Sequence, residues 1–169
     1  MILRKAIISA LTIFLSMAFS YAQDASEDIG QEQIGKIQAT VYYGKNEALG
    51  DLGKDTKPIP PQELERLQSI EKMQFKNYLK LGEETRSVLR SYENWLSPLK
   101  PSKEIMLSFE SRGLSKEGGL RLDLELWQHK RKVMKSDPVL YQGKPLLILG
   151  PKWRNGRLII AVEVTELPE

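Results

Sequence analysis

Residues 103–166 carry the strictest two-residue patterning in the chain, and that pattern limits the fold more than any other feature. In Leu120-Arg121-Leu122-Asp123-Leu124-Glu125-Leu126 the leucines fall on one side of an extended backbone and the charges on the other. Such a segment rests one face on a core and leaves the other in water, as a strand of an antiparallel sheet does. Ile105, Leu107 and Phe109 alternate with Met106, Ser108 and Glu110 in the same way, and the loop at 113–119 joins the two strands. Residues 130–139 lead through Asp137-Pro138 to Tyr141, and Gln142-Gly143-Lys144 reads as a turn. Residues 146–149 are apolar on both sides, as in a strand covered on both faces. The segment 150–156 then turns the chain into a last strand, where Leu158, Ile160, Val162 and Val164 oppose Ile159, Ala161, Glu163 and Thr165. The whole stretch reads as an antiparallel meander.

Upstream, residues 36–43 alternate and are rich in β-branched and aromatic side chains, which predicts a first strand closed by Gly44. Residues 45–61 have the Gly and Pro content of a loop. Pro61 suits the first turn of a helix, and Leu64, Leu67, Ile70 and Met73 recur every three residues, so a helix is expected over 61–73. Residues 75–81 read as a short strand closed by Gly82. For 83–96 the spacing of Val88, Leu89, Tyr92, Trp95 and Leu96 fits a helix face, while the composition favours a strand. The strand reading is taken, with a hairpin about Gly82. Pro98 and Pro101 interrupt what precedes them. The expected fold class is α+β, mainly an antiparallel β meander or sandwich with one packed helix.

The N-terminus reads as a leader. Arg4 and Lys5 precede the apolar run 6–19, and Ser20-Tyr21-Ala22 supplies the small residues of a cleavage site. About 14 apolar residues fall short of the roughly 20 needed to span a bilayer. This predicts a secretory signal peptide over 1–22 cut after Ala22, a flexible terminus over 23–35, and a single β-rich domain over 36–169. Location in the periplasm or outside the cell is expected, with no membrane span after cleavage.

The chain of 169 residues carries a formal charge of +3, and without Arg4 and Lys5 that becomes +1. A sequence pI near 9.0 therefore exaggerates the case for an anionic polymer, and no nucleic-acid partner is expected. Cysteine is absent, which excludes disulfides, thiolate chemistry and a lipid-bearing cysteine.

No motif spells out a reaction, a cofactor or a metal. His129 is the only histidine and lies beside Lys130 and Arg131, whose charge opposes a bound cation. A serine triad could use only His129, and no Gly-x-Ser-x-Gly elbow occurs. Asp123 and Glu125 share a strand face, the minimum for carboxylate-pair glycoside chemistry; pairing with cations on a neighbouring strand explains them as well. The segment 150–156 mixes glycines with Lys152 and Arg154 but lacks the Gly-Lys-Ser/Thr end of a P-loop. Its Asn155-Gly156 suits a tight hairpin turn.

Candidate binding residues are Trp127, His129, Lys130, Arg131 and Lys132 in one loop region, and Trp153 and Arg154 in another. Exposed tryptophan beside arginine is a common anchor for a partner, while capping of an open core end is the plainer role. The functional expectation is an exported, non-catalytic binding or accessory module of the bacterial envelope or extracellular space, with an envelope protein or a glycan as partner. The alternative is an enzyme acting on envelope or extracellular carbohydrate through a carboxylate pair.

Overall fold

The computed structural model describes residues 28–49, 57–97, 99 and 103–168. The leader, its cleavage point, Pro98 and Pro101 lie outside the described residues. The elements run β1 (Gln33–Lys45), α1 (Pro61–Gln68), β2 (Asn77–Leu89), β3 (Asn94–Leu96), β4 (Ile105–Leu114), β5 (Leu120–Gln128), β6 (Arg131–Ser136), β7 (Val139–Leu140), β8 (Leu146–Trp153) and β9 (Gly156–Glu166). Every strand pairing among them is antiparallel. The α+β architecture with an antiparallel sandwich and one packed helix is present.

The strands divide between two sheets, ordered β2-β1-β9-β8 and β3-β4-β5-β6, with β7 continuing along β5 beyond β6. The expected meander over 103–166 is thus split: β4, β5 and β6 meander in one sheet, while β8 and β9 cross to the other and close against β1. The physical reason is apolar area. Leu158, Ile160, Val162 and Val164 of β9 join Ile37, Ala39, Val41 and Tyr43 of β1, and both rows face Leu107, Phe109, Leu122, Leu124 and Leu126 across one core. A single sheet would leave these rows in water.

The opposite face of the first sheet is also covered, which accounts for the uninterrupted apolar run at 146–149. Leu146 and Ile148 pack toward the inter-sheet core, while Leu147 and Leu149 join Tyr42, Ile159, Ala161 and Leu67 on the outer face. The helix supplies Leu67, which is 1% exposed. It is shorter than expected: α1 ends at Gln68 and a 3-10 turn, Glu71–Met73, follows. Three-residue spacing drifts around an α-helix, so Leu67 and Met73 are buried only because the chain is reset between them, leaving Ile70 exposed.

Three further expectations are corrected. β1 begins at Gln33, inside the stretch expected to be irregular, and runs through Gly44 to Lys45. Gly44 does not end the strand; a Cβ there would lie 2.3 Å from the Phe75 ring, so glycine makes room for that ring. Gly82 does not turn a hairpin either. β2 passes straight through it, with Gly82 opposite Val41 and Lys80 opposite Tyr42, so that Leu81 is the extra residue of a bulge. Leu81 drops into the inter-sheet core. The bulge also places Lys80 and Glu83, which strict alternation would set on opposite faces, on the same outer face.

Candidate functional site

The sequence-selected residues fall on two separate surfaces. His129 and Lys130 are the central residues of the β5–β6 hairpin, both left-handed with φ of 50° and 61°. The His129 Nε2 lies 3.0 Å from a Glu104 carboxylate oxygen. Arg131 opens β6 and is exposed. Trp127 is half-buried against Trp95, with ring centroids 5.7 Å apart, and the Lys132 ammonium sits 5.6 Å from the Trp127 ring.

Most of the charge along the strands of this surface is matched, while Lys130 and Arg131 at the hairpin have no ion-pair partner among the described residues. Lys132 pairs with Glu125 at 2.8 Å and Lys135 with Asp123 at 3.1 Å, while Arg112 bonds Asp123. Arg112, then the Asp137 carboxyl and Lys135, hold the Asp123 carboxyl well below the usual range, and Asp123 in turn pushes Asp137 up. Lys132 likewise lowers Glu125. Asp123 and Glu125 therefore stand side by side on one strand as partners of cations, and do not face each other across a cleft.

Trp153 and Arg154 are placed differently. Trp153 is the last residue of β8, and the turn residues are Arg154 and Asn155, left-handed at φ 44° and 62°. The expected positive φ thus falls one residue earlier than Asn155-Gly156. Gly156 is needed for another reason: a Cβ there would lie 2.4 Å from the Tyr43 ring. The Tyr43 hydroxyl donates to the Arg154 carbonyl at 2.7 Å, and its ring meets Trp153 edge-on at 5.6 Å. The core therefore braces the turn from beneath. The Arg154 guanidinium stacks on the outer side of Trp153, 4.5 Å from the ring centroid.

Around this turn is a cleft of about 480 Å³, lined by Lys45, Lys152, Arg154 and Arg157, with Trp153, Phe75 and Glu47. Lys45 meets Glu47 only at 3.9 Å. Arg157 donates to the Gly150 carbonyl at 3.1 Å. Neither Lys152, Arg154 nor Arg157 has a carboxylate partner among the described residues, in contrast to Lys132 and Lys135 of β6. The cleft is thus a cationic patch with an aromatic floor, able to take an anion together with a flat or apolar portion of the same ligand.

Sequence reasoning missed a second concavity. A groove of about 360 Å³ runs between α1 and the outer face of the first sheet, with Tyr42, Glu63, Arg66, Lys80, Glu83 and Glu163 among its lining residues. The Tyr42 hydroxyl donates to Glu63 at 2.6 Å, and burial and that carboxylate raise its pKa. Lys80 lies 2.8 Å from Glu83 and 3.7 Å from Glu63. These residues come from four elements, and Lys80 and Glu83 converge only through the bulge, so no sequence spacing announces them. No protein-family model, curated protein or solved structure matches the chain.

Proposed function

We propose that the protein is an exported, non-catalytic binding module of the bacterial envelope or extracellular space, and that it holds an acidic glycan in the cleft at the β8–β9 turn. The observation that carries this reading is the charge contrast between the two surfaces. On β6, Lys132 and Lys135 have carboxylate partners within the sheet and Arg131 has none, whereas Lys152, Arg154 and Arg157, which line one cleft with Trp153, all lack one among the described residues. An unmatched cluster in a concave site attracts anions and favours partners with a planar face to lay on tryptophan. The turn supports the same reading. Arg154 occupies a left-handed position where glycine would avoid a cost of about 1 kcal/mol, and the arginine head is thereby set over the ring.

The test is a titration of the folded domain with a sulfated hexasaccharide, followed through the Trp153 indole N–H. Saturable shifts that weaken as salt rises are expected, and Arg154→Ala should weaken binding about ten-fold, the size of one charge-assisted hydrogen bond. An unmoved Trp153 resonance overturns the reading. Tighter binding of an acidic peptide at the same residues would reassign the partner to a protein.

A further inference from the structure

The groove beneath α1 is chemically unlike the cationic cleft and does not depend on it. Three of its charged groups are bonded together, one cation between two carboxylates: Lys80 is bonded to Glu83 and lies near Glu63, and Glu63 also accepts from Tyr42. The Gln38 amide donates to Glu83 at 2.8 Å, so this end of the groove is a closed network. Two charged groups remain outside it. Arg66 on the helix wall and Glu163 on the β9 floor both line the groove, and neither has an ion-pair partner among the described residues. They do not pair with each other, so a gap separates a cation from a carboxylate.

Leu147 and Ala161, neighbours on the sheet floor, add a small apolar area to a lining that is otherwise mostly polar. A ligand that satisfies all three features has an anion at one end, a cation at the other and a small apolar body. We propose that the groove binds a short zwitterion, an α-amino acid or dipeptide with free termini, its carboxylate at Arg66 and its ammonium at Glu163. The volume of about 360 Å³ suits a ligand of that size and lies at the small end of ligand pockets. Tyr42, Lys80 and Glu83 act as positioning residues, since their network ties α1 to the floor through Glu63.

The experiment uses the full folded domain and alanyl-alanine as probe, observed through the backbone amides of Thr40 and Ala161. The dipeptide should shift both resonances saturably. N-acetylation or C-amidation of the probe should each weaken binding about ten-fold, as loss of one charge-assisted contact does. In Glu163→Gln the acetylated and free-amine probes should bind alike, and in Arg66→Gln the amidated and free-acid probes should bind alike. Trp153→Ala should change none of this, which separates the result from the fate of the cationic cleft. Unmoved resonances, or equal binding of blocked and unblocked probes to the unaltered protein, would overturn the proposal without recourse to any variant.

Discussion

Gly156 and Tyr43 show how a single side chain transmits the core to the surface. Because a Cβ at 156 would meet the Tyr43 ring at 2.4 Å, Gly156→Ala should destabilise by about 1–3 kcal/mol through overpacking and loosen the turn that presents Arg154. Urea unfolding of the variant checks the first effect, and the Trp153 indole resonance the second. Glu83 offers a pH test. Its hydrogen bond with Lys80 holds the carboxyl below its ordinary 4.5. The stabilisation is therefore complete above the unfolded value and is lost as pH falls through the lower folded value. Glu83→Gln should flatten that acid limb of a stability-against-pH curve; an unchanged limb would show that other carboxylates govern it. At this scale the sequence revealed Trp153 and Arg154 by type and adjacency, but Tyr43 as their brace comes from a strand more than a hundred residues away.

Among the elements, α1 depends most on its neighbours. Eight residues are too few for an isolated helix in water, so it is held by Leu67 in the outer-face cluster and by the Glu63–Tyr42 bond. Leu67→Ala should cost about 2–5 kcal/mol and expose the amides of the groove floor to hydrogen exchange, a local opening that exchange at Thr40 and Tyr42 would reveal. The β5–β6 hairpin gives the converse case. His129 and Lys130 are both left-handed, so the double replacement by Asn-Gly should raise stability by about 1 kcal/mol or more, read as a higher melting temperature. β2 shows the limit of local reading: Gly82 is a turn residue by composition, but pairing with β1 on a continuous edge outweighs that preference and converts it into a bulge.

On the scale of the molecule, a disulfide-free domain must be held by the core that both sheets share. Phe109 lies at its centre and is fully buried, so Phe109→Ala should remove about 3–5 kcal/mol, a large part of the usual 5–15 kcal/mol of a domain. Calorimetry should then show a single lowered transition, since neither sheet buries its inner face alone; two transitions would contradict a shared core. The sequence by itself determined the faces of β1, β4, β5 and β9, because side-chain alternation and apolar content are local properties written into consecutive residues. It also determined the absence of crosslinks and the candidate pair Trp153 and Arg154. Only the tertiary structure decided that β8 and β9 leave the meander to pair beside β1, because sheet partners are chosen by the total apolar area that closes against the opposite layer. It alone also distinguished matched from unmatched cations and gathered Arg66 and Glu163 around one groove, because charge pairing and concavity are set by distances through space between residues far apart in the chain.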